Sequence, residues 1–384
     1  MIRQLLAWLG WGKRMTDERH HAAAVADSAA DPAHRDGAAA GPLEPLPVEH
    51  RRPATADPVP AEQPAARPAP PPPPAPEPRQ HIPVQVVQQP PASARPAELG
   101  DPLVLVGKPR LASKPAAFTT AMDAPPDSVI DGGELDGLTV RAASLRGDEH
   151  RYYADPRQDA FAIRPLTVEK GAAPLLVCVA DGVGSQPLSH LGSAAVTRFL
   201  GQEIGPYAAK LLDPAAENGL RKRCTELIAH VSRRLELAAA KREKPAQALS
   251  TTLVAALIGP AGSGGHRRAV MFAVGDSPAY ILREGQFEQI FGAGAADEMA
   301  GAATDALPSR IAEPSVMVAE LGPGDVVVLC TDGLGNPMVN TDVSGQLARW
   351  WQGGPPSLPA FYWQMSFRAQ SFGDDRTAVC VWIG

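Results

Sequence analysis

Proline placement limits this chain more than any other feature. Residues 68–76 read Pro-Ala-Pro-Pro-Pro-Pro-Pro-Ala-Pro. Each proline fixes φ and removes a backbone donor, so the run can hold neither a helix nor a central strand. About 25 of the 41 prolines fall before residue 131, and about 17 of the aromatic residues fall after it. Ordering backbone costs roughly 1–2 kcal/mol per residue, and the first third lacks the side chains to offset that cost. We therefore expect a short amphipathic peptide over residues 1–15, a disordered Pro/Ala-rich linker over 16–135, and one folded domain over 136–384, long enough to bury a sizeable core. The polyproline run suits an extended spacer, with docking on an aromatic groove as the alternative. Inside the linker, Leu103-Val104-Leu105-Val106 is long enough for a docking strand but not for a domain.

Charge and cysteine placement exclude several classes. The formal net charge is −6 with no basic stripe, which argues against a nucleic-acid-binding face. Cys178, Cys224, Cys330 and Cys380 show no CxxC spacing, and three lie in apolar runs where a free thiol acts as a small hydrophobe. A reducing, cytoplasmic setting is expected. No apolar run reaches the length of a membrane span. Leu5, Leu6, Trp8, Leu9 and Trp11, flanked by Arg3, Lys13 and Arg14, form either an interfacial membrane anchor, a peptide for a partner protein, or a frayed terminus.

From about Leu138 the pattern changes. Leu175–Ala180 reads as a buried strand, with further strands expected at 251–258, 269–274, 279–283, 326–330 and 377–383. Helical spacing runs from Ser189 to Leu212 and from Pro214 to Ala240, and a shorter helix is expected near 359–370. Residues 292–314, rich in Ala and Gly, read as a mobile surface segment. Strands with helices grouped in pairs, rather than regular alternation, indicate an α+β layered fold of antiparallel sheets covered by helices.

Four carboxylates stand at strand edges. Asp181 follows the 175–180 run, Asp332 follows Val326–Thr331, Asp159 opens Ala160–Ile163, and Asp374-Asp375 precedes the last strand. Singly, Asp-Gly after a strand is a common turn signal. The stretch Asp181-Gly182-Val183-Gly184-Ser185 lacks the further glycine of a dinucleotide fingerprint and the Gly-Lys-Ser/Thr of a P-loop. Together, and without a His or Cys cluster beside them, the four make a hard oxygen-donor set suited to Mg²⁺ or Mn²⁺. Two such ions about 3.5–4 Å apart activate water and clamp a phosphoryl group for in-line attack. Gly275-Asp276-Ser277 reads as a structural hairpin turn.

Ordered motifs over roughly 140–384 resemble the metal-dependent Ser/Thr protein phosphatases of type 2C, the PPM family, in a bacterial form. They are Ser144-Leu145-Arg146-Gly147 with His150, Arg157-Gln158-Asp159-Ala160-Phe161, Val179-Ala180-Asp181-Gly182-Val183-Gly184, Ser250-Thr251-Thr252, Gly275-Asp276-Ser277, Thr331-Asp332-Gly333 and Gly373-Asp374-Asp375-Arg376-Thr377. The resemblance implies a four-layer α-β-β-α sandwich of two antiparallel sheets, with a metal cleft at one end. It implies hydrolysis of phosphoserine and phosphothreonine in proteins, opposing a Ser/Thr kinase, with two Mn²⁺ or Mg²⁺ ions. Asp159, Asp181, the Gly182 carbonyl, Asp332 and Asp374 would hold the metals. Asp374 is preferred to Asp375 by its spacing from Thr377.

Departures from the family pattern are specific. Ala154 and Asp155 stand where the phosphate-binding Arg is expected, leaving Arg146, Arg157 or His150 as substitutes. Val183 replaces the His that follows Asp-Gly in many eukaryotic members, so His150 or a metal-bound water becomes the candidate leaving-group acid. Gln247 stands where an acid helps to hold a third metal. Residues 292–314 occupy the place of the family's variable flap. The rival reading is a non-catalytic phosphatase-like module that binds phosphoproteins or scaffolds a complex through its Pro-rich tail.

Overall fold

The computed structural model describes residues 103–109, 114, 116–167, 171–292, 305–308 and 313–384. The expected peptide 1–15 and the linker as far as 102 lie outside these residues. The strands and helices are β1 (Val104–Val106), β2 (Ser128–Leu135), β3 (Leu138–Leu145), α1 (Asp148–Tyr153), β4 (Ala160–Pro165), β5 (Leu175–Ala180), α2 (Ser189–Glu203), α3 (Gly205–Leu212) and α4 (Leu220–Ala240). They continue with β6 (Leu253–Ile258), β7 (Arg267–Val274), β8 (Ala279–Arg283), β9 (Gln286–Phe291), β10 (Ser315–Leu321), β11 (Val326–Cys330) and α5 (Asp332–Met338). Last come α6 (Thr341–Trp351), α7 (Leu358–Met365), β12 (Arg368–Ala369) and β13 (Arg376–Ile383).

Two antiparallel sheets face each other, one ordered β2-β3-β13-β11-β8-β9 and the other β10-β7-β6-β5-β4. Between them lie Val140, Val177, Val179, Val254, Met271, Val327, Leu329, Val379 and Val381. A second core joins the outer face of the β5–β7 sheet to α2, α3 and α4 through Phe199, Leu200, Leu211, Leu227, Ile228 and Phe272. A third joins the outer face of the β11–β13 sheet to α5, α6 and α7 through Leu334, Leu347, Trp351, Phe361, Met365 and Trp382. The chain is thus the expected four-layer α-β-β-α sandwich. Because helices cover both outer faces, central strands such as β5, β11 and β13 are buried at every residue. They read as continuous apolar runs rather than alternating ones.

Trp351 anchors the third core. It is fully buried, its Nε1 donates to Gln364 Oε1 at 3.0 Å, and its carbonyl accepts from Trp382 Nε1 at 2.8 Å. Trp351→Ala should cost about 3–5 kcal/mol in chemical unfolding. A cost below about 1 kcal/mol contradicts this anchoring.

Two expected boundaries are corrected. The linker expected over 16–135 ends earlier, since β2 pairs along its whole length with β3 and β1 pairs in parallel with β12. β2 carries Asp131, Gly132 and Gly133, poor strand formers, but an edge strand needs only one partner. The apolar island at 103–106 does dock as a strand. The segment 292–314 is also not wholly a surface one. Leu307 is fully buried and exchanges two backbone hydrogen bonds with Thr251, each 2.9 Å, while Ser232 Oγ donates to Pro308 O at 3.0 Å. Leu307 is one of the few large apolar residues in that Ala/Gly-rich stretch.

Candidate metal centre

Antiparallel pairing brings the four carboxylates to one end of the sandwich. Ala160 pairs with Ala180, so the start of β4 and the end of β5 share an edge. Cys330 pairs with Ala378, so the end of β11 and the start of β13 share the facing edge. Asp159 and Asp181 therefore come from one sheet, Asp332 and Asp374 from the other. Thr331 joins the two, its Oγ1 donating to Asp159 Oδ2 at 2.8 Å.

Each carboxylate is set by its neighbours. Asp159 is 3% exposed and receives hydroxyl bonds from Thr331 and Thr377. The Asp181 carbonyl accepts from Thr252 N and Thr251 Oγ1, both at 2.8 Å, and its N–H donates to Thr252 Oγ1 at 3.0 Å. At Gly182 a Cβ would lie 2.8 Å from the main chain of Gln158 and Ser189, so only glycine permits this close approach. At Gly333 a Cβ would meet Asp375 O at 1.8 Å. That contact lets α5 begin directly at Asp332, where a turn is the expectation from sequence.

The electrostatics are those of an unneutralised anionic cluster. Burial, then the charges of Asp375 and Asp374, hold Asp159 well above the ordinary carboxylate range. Burial and the charges of Asp159, Asp332, Asp374 and Asp276 do the same to Asp181. Burial and Asp276 also raise Asp332, while a hydrogen bond with Asp181 opposes that rise. Loss of solvent and the neighbouring Asp332 and Asp375 push Asp374 up to about 6, although its side chain stays 56% exposed. Asp276, read from sequence as a turn residue, thus adds its charge to this cluster. Among the described residues, none of the four forms an ion pair with Lys or Arg.

Asp375 has a different position. It is buried, its Oδ1 accepts from Gly147 N at 2.7 Å and its Oδ2 from Gln158 N at 2.5 Å. It also pairs with His150 Nδ1 at 2.8 Å. Burial alone would lower the His150 pKa, but Asp375, Asp374 and Asp159 outweigh it and push it up to about 9. His150 is thus a cation at neutral pH, with Nε2 3.8 Å from Asp374 Oδ1. Within the described residues, His150, Asp374 and Asp375 also bring three donor atoms within 4.8 Å of one another. A protonated imidazole and a carboxylate committed to two amides make a poor ligand pair.

The two arginines expected at phosphate are placed elsewhere. Arg157 is buried under Asp159, with Nη1 donating to Ser144 Oγ and to Asp159 O and Nε donating to Pro126 O at 3.1 Å. It positions the Asp159 backbone. Arg146 is buried at the start of α1, donating to Ala117 O at 3.1 Å and His150 O at 2.8 Å. The sequence offered both as substitutes for the phosphate-binding arginine of the family, but the structure ties Arg157 to the Asp159 backbone and Arg146 to carbonyls beside and within α1. Sequence reasoning gave no role to Thr331, Thr377 and Ser144. Ser144 Oγ and Thr377 Oγ1 share a 2.5 Å hydrogen bond, and a hydroxyl facing a strand-end Asp was the available signal.

A cation set fits these residues. Asp332 Oδ1 is buried without a hydrogen-bond partner, and Asp181 and Asp332 lie close enough for each to act on the proton affinity of the other. Two carboxylates come that close by sharing a proton or a cation. Because the folded values exceed the ordinary 3.8, these groups stabilise the metal-free fold below about pH 4. That contribution is lost as pH rises through the folded values. Mn²⁺ should therefore raise the melting temperature by at least about 5 °C more at pH 7.5 than at pH 5. A gain that shrinks with rising pH in a thermal-shift series contradicts the assignment.

Residues 146–356 match the family model described as protein phosphatase 2C, more than half of the chain, and the chain belongs to that family. Solved structures resemble it at lower identity. PppA, a key regulatory component of the type VI secretion system in Pseudomonas aeruginosa, is 23% identical, covering 65% of this chain and 99% of that one, at a TM-score of 0.45. The Mycobacterium tuberculosis serine/threonine phosphatase PstP is 19% identical over 64% and 98%, at 0.43. The Streptococcus agalactiae serine/threonine phosphatase is 16% identical over 64% and 100%, at 0.47. No curated protein sequence matches. No helix among the described residues is long and apolar enough to cross a membrane.

Proposed function

We propose that the chain is a protein phosphatase that hydrolyses phosphoserine and phosphothreonine, opposing a Ser/Thr kinase and using two Mn²⁺ or Mg²⁺ ions. The observation that carries this reading is the gathering of Asp159, Asp181, Asp332 and Asp374 from both sheets onto one end, with no Lys or Arg ion pair among the described residues and His150 beside Asp374. These four and the Gly182 carbonyl hold the ions. Once bound, such ions neutralise phosphoryl oxygens and lower the pKa of water.

The chain's own residues supply the rest. Thr331 and Thr377 orient Asp159, while Thr251 and Thr252 fix the Asp181–Gly182 backbone. His150, paired through Nδ1 with Asp375, presents Nε2 beside Asp374. There it donates to a phosphoryl oxygen or protonates the leaving serine or threonine oxygen, work worth typically 10²–10⁴-fold for a positioned acid. No carboxylate in the site is needed as a covalent nucleophile.

The test is hydrolysis of p-nitrophenyl phosphate and a phosphothreonine peptide, with Mn²⁺ or with chelator, by the full chain and two variants. Asp332→Ala should remove activity, and His150→Gln should lower kcat by about 100-fold with Mn²⁺ binding retained. Activity that survives chelation or Asp332→Ala overturns the metal-centred reading. Bound Mn²⁺ without hydrolysis of any phosphorylated substrate favours the phosphoprotein-binding scaffold.

A further inference from the structure

We propose that a cavity beside the carboxylate cluster is a subsite for an anionic side chain, a carboxylate or a second phosphate, flanking the phosphorylated residue of a polypeptide substrate. This rests on the phosphatase reading for its setting, but not for its chemistry. The cavity is about 380 Å³, enclosed between the start of α1, the end of α7 and β12. Gly373 and Asp374 form part of its wall, so it is continuous with the candidate metal centre.

Two of its lining residues are buried arginines whose hydrogen bonds go to carbonyls. Arg376, 7% exposed, spends its N–H groups on the carbonyls of Gly333 (2.9 Å), Met365 (3.0 Å) and Phe367. Its guanidinium carbon lies 3.9 Å from the Phe367 ring centroid. Arg146, also 7% exposed, bonds two carbonyls, and its nearest carboxylate oxygen, on Asp127, is 4.0 Å away. The Arg146 Nε is buried with no partner. Carbonyls satisfy N–H groups but do not neutralise a charge, and a buried cation left unneutralised is costly.

Two further arginines line the same cavity and both approach Asp148, although Arg151 is held mainly by Asp127, with Nη2 2.7 Å and Nε 3.1 Å from its carboxylate. Arg368 Nε lies 3.3 Å, and Arg151 Nη1 3.4 Å, from the Asp148 carboxylate. Four guanidiniums thus meet three carboxylates, Asp127, Asp148 and Glu149, with Asp374 assigned to the metal side, which leaves one positive charge in excess. An acidic side chain entering here makes charge-assisted hydrogen bonds that a neutral one cannot. A basic side chain gains nothing.

The test uses the full chain with Mn²⁺ and phosphothreonine peptides carrying a single Glu, or a single phosphoserine, moved through the flanking positions of an otherwise alanine sequence. At one or two adjacent positions, kcat/KM should rise about tenfold over the alanine peptide. Glu and phosphoserine separate the two anion sources. The gain should vanish in Arg368→Gln, whose partly exposed side chain can be replaced without opening the core. Equal kcat/KM at every position overturns the proposal, as does a gain that Arg368→Gln leaves intact. Hydrolysis of p-nitrophenyl phosphate reads the phosphatase activity separately. If no substrate is turned over, fluorescence anisotropy of the labelled Glu and alanine peptides on the Mn²⁺-loaded chain decides. Equal affinity then counts against the subsite, and tighter Glu binding that Arg368→Gln abolishes supports it.

Discussion

Asp181→Asn should reduce phosphopeptide hydrolysis by about 1,000-fold or more, the scale expected when an electrostatic centre of phosphoryl transfer is dismantled. The same change should make the metal-free protein more stable, by about 1–2 kcal/mol. Asp181 is held well above the ordinary carboxylate range by burial and then by four neighbouring acids, so removing its charge relieves repulsion that the metal-free fold otherwise carries. Activity and melting temperature thus move in opposite directions, a pattern that a purely structural residue does not give. Mn²⁺ should lose most of its stabilising effect on this variant. If hydrolysis persists, or the metal-free variant melts below the parent, Asp181 is not a member of a cation site.

The second large effect separates two adjacent acids. Asp375→Ala removes the acceptor for the Gly147 and Gln158 amides and the partner of His150. Leaving these buried groups unpaired should cost about 3–5 kcal/mol, seen as a lowered midpoint in urea unfolding. Asp374→Ala should leave the metal-free midpoint unchanged or slightly raised, because repulsion from Asp332 and Asp375 offsets the contacts of its half-exposed carboxyl with the Asp375 amide and His150. Both variants should lose activity, one through the fold and one through the metal centre. A stable Asp375→Ala and an unfolded Asp374→Ala would reverse the assignment of these two residues.

Much of the architecture was legible because buried central strands leave apolar runs, and strands 175–180, 279–283 and 326–330 coincide with β5, β8 and β11. Several of the elements missed have weaker signals, although α6, capped by Asn340 and amphipathic, does not. β9 (Gln-Phe-Glu-Gln-Ile-Phe) and β10 (Ser-Val-Met-Val-Ala-Glu-Leu) are edge strands with solvent on part of their surface. Helix α5 (Asp-Gly-Leu-Gly-Asn-Pro-Met) has two glycines and a proline, so its propensity argues for a turn. Packing decides there, with Leu334 and Met338 buried in the third core.

For the site, the residue type and the strand edge sufficed to gather Asp159, Asp181, Asp332 and Asp374, because antiparallel pairing fixes which strand ends meet. Side-chain direction was not legible. Arg146 and Arg157 carry the right charge to substitute for the phosphate-binding arginine of the family, yet one lines a neighbouring cavity and the other supports Asp159 from below. The hydroxyl chain through Ser144, Thr377 and Thr331 depends on contacts between residues 233 and 46 apart in sequence, which spacing along the chain cannot reveal. The charge of Asp276 reaches the cluster for the same reason.

The most direct measurement is anomalous scattering from crystals of the full chain grown with Mn²⁺. Two Mn²⁺ peaks should appear within coordinating distance of the carboxylates of Asp159, Asp181, Asp332 and Asp374, with Asp375 still bonded to the Gly147 and Gln158 amides. Absence of density there, or a single peak seated on His150 and Asp375, would contradict the proposed two-metal centre.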